Sequence, residues 1–131
     1  MLNTLNSRIS ISCFTLMLLM FTSTVFAHTK SISADPAPRS ILNRSPQVIS
    51  IIFSQAFEPS YSTITVKNSD GEQVTEAKAT VDTNNKKRLV LSLPTLPAGK
   101  YTVSYKVLSL DGHTVSSRYT FRIKKDKPTD N

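Results

Sequence analysis

A chain of 131 residues with 39% hydrophobic and 19% charged residues supports one globular domain and leaves no room for a second. The single cysteine, Cys13, lies close to the N-terminus, which excludes a disulfide framework and a thiolate metal site in the rest of the chain. The formal net charge is +7, but most basic residues are dispersed among predicted strands. Nucleic-acid binding requires a basic face with interleaved aromatic residues, so no nucleic-acid partner is expected.

The N-terminal segment has the organisation of a secretory signal peptide. An apolar run follows Arg8, and small residues precede a cleavage point between Ala27 and His28. The run is shorter than the roughly 20 residues that a membrane-spanning helix needs. We therefore predict an exported, soluble protein with three parts: a signal peptide over residues 1–27, a domain over 28–124 and a polar tail over 125–131.

Alternating apolar residues predict short strands along the domain. The first half contains an edge strand over 28–33 that prolines stop, a buried strand over 47–53, a loop over 54–59, a strand over 62–67 and a hairpin turn at 68–71. The second half contains a weaker strand over 73–81, a turn over 82–85 and strands over 89–93, 101–107 and 118–124. About seven strands without helical periodicity predict an all-β fold, a Greek-key sandwich or barrel of the immunoglobulin-like kind.

Two short segments, residues 96–101 and 111–113, predict more specific local structures. The segment Leu-Pro-Ala-Gly-Lys-Tyr over 96–101 predicts a tyrosine corner, in which a tyrosine hydroxyl bonds back to the preceding backbone; a plain Pro-Gly turn is the alternative. Asp111-Gly112 is typical of a hairpin turn, and on that interpretation His113 is a surface residue beside it.

His28 gives Asp111 and His113 a second interpretation. The chain has only two histidines, and cleavage after Ala27 would make His28 the N-terminal residue, with an amine and an imidazole available for chelation. Three nitrogens and one carboxylate oxygen are a ligand set that favours Cu(II). Asp111 and His113 would project to the same side if a strand continued through them, and less predictably from a hairpin apex. The sequence leaves both geometries open.

The chain resembles the bacterial CopC copper-resistance family through motifs spread over the whole domain. They are Ala-His at 27–28, Asp-Pro at 35–36, Phe-Ser-Gln at 53–55, the 96–101 segment and Val-Leu-Ser-Leu-Asp-Gly-His at 107–113. The resemblance implies a periplasmic, monomeric, non-enzymatic protein that sequesters or delivers one Cu(II) per chain. It also implies that His28, Asp111 and His113 are the metal ligands and that a membrane copper-transport protein of the CopD type is a partner.

The chain departs from that family pattern at Gln55, and its lack of methionine in the domain matches only some members of the family. Gln55 stands where family members often have Glu, so the role of Gln55 is doubtful. All three methionines precede residue 21, so the domain matches the members that bind only Cu(II) and lacks the thioether sulfur that Cu(I) favours.

Two other functions are consistent with an exported β-sandwich. An N-terminal histidine paired with a second histidine resembles the histidine brace of copper monooxygenases, but the chain has no Trp for a substrate surface, and an Asp111 carboxylate would occupy the open metal position. A metal-free, immunoglobulin-like interaction module is the second alternative. It predicts that replacement of His113 has no effect on copper binding.

Overall fold

The computed structural model of the protein describes residues 29–125. Its strands are β1 (Ser31–Asp35), β2 (Ile41–Leu42), β3 (Val48–Phe53), β4 (Phe57–Lys67), β5 (Thr80–Val81), β6 (Arg88–Ser92), β7 (Gly99–Ser109) and β8 (Thr114–Ile123). Within this part of the chain, no helix is long and apolar enough to span a membrane. The predicted signal peptide, His28 and all of the predicted tail except Lys125 lie outside the described residues.

The strands form two four-stranded sheets that pack face to face. One sheet has the order β1-β3-β6-β5 and the other has the order β2-β8-β7-β4. Only the β5–β6 and β7–β8 connections stay within a sheet, and the others cross between sheets. This arrangement confirms the predicted all-β, immunoglobulin-like sandwich, with eight strands in place of about seven.

The core lies between the sheets and follows the predicted alternation. Tyr101, Val103, Tyr105 and Val107 on β7 are all buried, and they face the buried side chains of the opposite sheet. Burying a large apolar side chain contributes about 1.5–3 kcal/mol, so this alternation drives the two sheets together. The predicted tyrosine corner is also confirmed, because the Tyr101 hydroxyl donates to the Pro97 carbonyl oxygen at 2.7 Å.

The strand predicted over 73–81 is wrong for most of its length. Only β5 pairs there, and Gln73 forms an isolated bridge with Lys67. The Gln73 side-chain amide donates to the Thr75 carbonyl oxygen, and the Thr75 hydroxyl accepts from the Ala77 backbone. Such local side-chain hydrogen bonds compete with a strand ladder and hold this segment as a loop.

The loop predicted over 54–59 is also too long, because β4 begins at Phe57. Phe57 pairs with Ser109 and Glu58 pairs with Leu108 before the register shifts. Pro59 is tolerated in β4 because this strand lies at a sheet edge, where a missing N–H interrupts no ladder. The sequence pattern did not predict β2, which forms a short parallel pair with β8.

Candidate metal centre

The four residues between β7 and β8 form a hairpin turn whose apex is the three-residue loop 110–112. The Gly112 backbone donates to the Ser109 carbonyl oxygen at 3.0 Å, and the Ser109 backbone donates to the His113 carbonyl oxygen at 2.8 Å. Gly112 has a φ of 86°, the left-handed conformation that lets a type I turn rejoin the ladder through a bulge. Of the two geometries that the sequence left open, the hairpin apex is the one observed.

The turn brings Asp111 and His113 into contact even though the strand does not continue through them. Asp111 Oδ1 lies 3.2 Å from His113 Nδ1 and accepts a hydrogen bond from the His113 backbone at 3.3 Å. The side chains are 36% and 52% exposed, so both groups are accessible to an ion from solvent. A carboxylate and an imidazole therefore stand side by side at the hairpin tip.

Ser109 connects this pair to the start of the domain. A hydrogen bond from its side chain is the main reason that the pKa of Asp111 is below its ordinary value, and the His113 backbone N–H lowers the pKa of Asp111 further. The Ser109 hydroxyl also lies 2.5 Å from the hydroxyl of Thr29, 80 residues earlier in the chain. Ser109 and Thr29 are 1% and 2% exposed, so this contact is shielded from water.

Further hydrogen bonds fix the segment that follows Thr29. The backbones of Lys30 and Ser54 are joined at 2.9 Å, and the Lys30 N–H also donates to the Ser54 hydroxyl at 3.1 Å. The Tyr105 hydroxyl donates to the Ser31 hydroxyl at 2.9 Å. The first described residues are therefore fastened both to the end of β3 and to β7, beside the hairpin turn.

Aromatic rings form a rigid layer beneath this region. Phe53 packs edge-to-face against Phe57 at a centroid distance of 5.3 Å and against Tyr105 at 5.6 Å. Phe57 is directly paired with Ser109 across the β4–β7 ladder. Because these rings are buried and interlocked, the backbone under Ser109 has little freedom to move.

Two of the three ligands predicted from the sequence, Asp111 and His113, therefore lie together, and the third, His28, lies outside the described residues. Between residues 29 and 125 no group of three or more His, Cys, Asp or Glu side chains could hold a metal ion. The described part of the chain supplies a half-site that needs an additional donor. The donor set itself, one imidazole and one carboxylate, fits Cu(II).

Sequence reasoning missed Thr29 and Ser109. Ser109 did carry a signal, because it continues the inward-facing alternation of β7 after Val107 and is polar where that face is otherwise apolar. Thr29 carried none, since a single threonine near a strand does not indicate its partner. Gln55 lies in the short connection between β3 and β4, next to Ser54.

Comparison with known proteins gives a consistent result. The family model described as the CopC domain matches residues 31–124. Protein YobA of Escherichia coli is 30% identical over 106 residues, which are 80% of this chain and 86% of that protein. The copper transport protein CutJ of Bacillus subtilis is 31% identical over 111 residues, which cover 84% of this chain but only 20% of that protein.

Two crystal structures have the same fold. CopC from Methylosinus trichosporium superimposes with a TM-score of 0.71 and 32% identity, over 76% of this chain and 97% of that one. PcoC, a methionine-rich copper resistance protein from Escherichia coli, gives a TM-score of 0.67 and 27% identity, over 75% of this chain and 100% of that one.

Proposed function

This chain belongs to the CopC family, and from that premise we propose that it binds one Cu(II) ion per chain and sequesters or delivers it in the periplasm. His28, Asp111 and His113 are the proposed ligands. The names of its relatives, a copper resistance protein and a copper transport protein, support a function in copper homeostasis.

One observation carries the proposal: Thr29 is buried against Ser109, beside the Asp111–His113 pair. Because consecutive α-carbons are only about 3.8 Å apart, the position of Thr29 supports the proposal that the preceding histidine joins this pair. Cleavage after Ala27 would give His28 a free amine, in addition to its imidazole, for the proposed site. Chain connectivity thus supports the convergence of two histidines that are widely separated in sequence.

The ligand chemistry favours the divalent ion. An amine, two imidazoles and a carboxylate are nitrogen and oxygen donors, which suit the tetragonal coordination of Cu(II). No sulfur donor is available after residue 27, because Cys13 and every methionine precede it. A site for Cu(I), which favours thioether and thiolate sulfur, is not expected in this domain.

Four protein donors would fill the tetragonal plane, and this supports carriage of the ion over catalysis at it. The protein is proposed to act as a monomer and to pass copper to a membrane transport protein of the CopD type. The domain matches a fifth of the length of the copper transport protein CutJ. A domain similar to this chain is thus part of a larger copper transport protein, which supports the proposed transfer of copper to a protein of that kind.

The test is a Cu(II) titration of the processed protein, starting at His28, with electron paramagnetic resonance of the complex. We expect one tight equivalent and a nitrogen-rich tetragonal spectrum, with affinity lowered in His113→Ala, in Asp111→Asn and by one glycine added before His28. Asp70→Asn is the matched control, because Asp70 also precedes a glycine of positive φ in an exposed turn. Equal affinity in all five proteins would overturn the proposed site.

A further inference from the structure

We infer that Thr29 and Ser109 form a hydroxyl relay that positions the copper ligands, with Thr29 holding the N-terminal residue in place and Ser109 orienting the Asp111 carboxylate. This inference rests on the proposed function, because it concerns the same site. It assigns a role to two residues that are not themselves ligands and that touch the ion only through their neighbours.

The direction of the relay follows from the chemistry of its members. The Ser109 side chain is the main cause of the lowered pKa of Asp111, and an ionised carboxylate has only acceptor atoms, so in a hydrogen bond between them the Ser109 hydroxyl is the donor. The Ser109 oxygen can then accept a hydrogen bond from the Thr29 hydroxyl across the 2.5 Å contact. With this assignment, the hydrogen bonds run from Thr29 through Ser109 to Asp111.

Burial strengthens the hydrogen bonds of this relay. Thr29 and Ser109 are almost completely inaccessible, so water does not compete for their hydrogen bonds. The donor and acceptor belong to different ends of the chain: Thr29 precedes β1, and Ser109 ends β7 in the opposite sheet. Loss of either hydroxyl would leave a buried polar atom without its partner and would remove the hydrogen bond that joins Thr29 to the end of β7.

The relay also links the two halves of the proposed site. On one side, Thr29 is covalently joined to residue 28. On the other, Ser109 shares Asp111 with the His113 backbone, which donates to the same carboxylate at 3.3 Å. Hydrogen bonds to ligating groups fix their orientation, and losing one typically lowers metal affinity by about 10- to 100-fold. The relay would thus hold the N-terminal residue and the Asp111–His113 pair in position before copper binds.

The experiment compares Thr29→Val, Ser109→Ala and the double variant with the processed wild-type protein. Thr29→Val keeps the shape of the side chain but removes the hydroxyl, and Thr29→Ser is the rescue that restores it. Tyr101→Phe is the control, since it deletes a buried, hydrogen-bonded hydroxyl at the opposite end of β7. Cu(II) affinity, the paramagnetic resonance spectrum and amide order parameters of Thr29 and Lys30 in the metal-free protein are measured for each.

We expect about a tenfold or greater loss of affinity in Thr29→Val and in Ser109→Ala, with a changed spectrum and lower order at Thr29 and Lys30. The double variant should lose little more than Ser109→Ala, because both changes break one relay. Thr29→Ser should recover most of the affinity, and Tyr101→Phe should leave affinity and spectrum unaltered.

The inference is overturned if wild-type protein binds one Cu(II) tightly and both single variants match it in affinity, spectrum and N-terminal order. It is also overturned if Tyr101→Phe changes these readouts as much, because the effect would then be general destabilisation. Absence of tight Cu(II) binding by the wild-type protein would refute the proposed function instead. In that case, the order parameters in the metal-free variants still show whether the relay holds the N-terminal segment.

Discussion

Gly112 in the β7–β8 turn provides a quantitative test of how the hairpin brings Asp111 and His113 together. Its φ of 86° lies in the left-handed region, and a Cβ added there meets no atom within 4 Å. Gly112→Ala would therefore introduce backbone strain without a steric clash. Holding an L-residue in the left-handed conformation costs about 1–2 kcal/mol.

This cost can lower either folding stability or copper affinity. If the metal-free variant keeps the native turn, the free energy of unfolding falls by the full amount, and Tm falls by about 4–8 °C per kcal/mol in a domain of this size. If the turn relaxes, copper binding must restore it. Because about 1.4 kcal/mol corresponds to a tenfold change in affinity, the dissociation constant would then rise by about 5- to 30-fold.

Gly71 is the matched control for this prediction. It has a φ of 84°, an added Cβ also meets no atom within 4 Å, and it lies in the turn after β4. Urea unfolding of the metal-free proteins and Cu(II) titration should show that Gly71→Ala loses stability alone. In Gly112→Ala, the losses in stability and affinity should together equal about 1–2 kcal/mol.

Gly112→Asn should lose less than Gly112→Ala, since asparagine tolerates the left-handed conformation better. Full stability together with full affinity in Gly112→Ala would refute the claim that the positive φ sets the turn. An equal loss of affinity in Gly71→Ala would refute the claim that the Gly112 turn acts on the site locally.

Two further predictions concern tyrosines of the sandwich and are checked by unfolding experiments. Tyr101→Phe should lower the free energy of unfolding by about 1 kcal/mol, because it removes the hydrogen bond to the Pro97 carbonyl oxygen. The loss is no larger because Pro97 is exposed and water can still solvate its carbonyl group. Unchanged stability would contradict a structural role for the tyrosine corner. Tyr119→Phe should be neutral or stabilising at neutral pH, since the buried Tyr119 hydroxyl has no hydrogen-bond partner among the described residues. Burial raises the pKa of Tyr119, and Asp35 and Tyr105 add to the effect. The ordinary tyrosine pKa is about 10, so the wild-type protein should keep its stability below that pH and lose stability as the pH rises further. Tyr119→Phe should show a smaller alkaline loss, and an identical pH profile would contradict this assignment.

The architecture could be predicted from the sequence because strand burial is a local, period-two property. The alternation on β7 identified the residues that face the core, and the Pro-Gly-Tyr pattern identified the corner at Tyr101. The strand prediction was wrong where the structure depends on pairing between strands and not on alternation of apolar residues along one strand. Residues 73–81 alternate weakly but find few strand partners, whereas β2 is too short to show any pattern yet pairs with β8.

The candidate site divides in the same way. The sequence indicated Asp111 and His113 as a pair, because their spacing and the intervening glycine suit either a strand or a tight turn. It did not determine which, since an Asp-Gly step permits both conformations, and only the hydrogen bonds of the folded hairpin select the turn.

What the sequence by itself determined about this protein is the set of elements and the identity of the possible ligands, since both depend on residue type and short-range spacing. Only the tertiary structure decided that Thr29 meets Ser109 across 80 residues and two sheets. The physical reason is that the pattern marks Ser109 only as a polar residue on the inward face of β7 and does not mark Thr29 at all, so it cannot identify the two as partners. Their partnership exists only because packing of the core brings the start of β1 beside the end of β7.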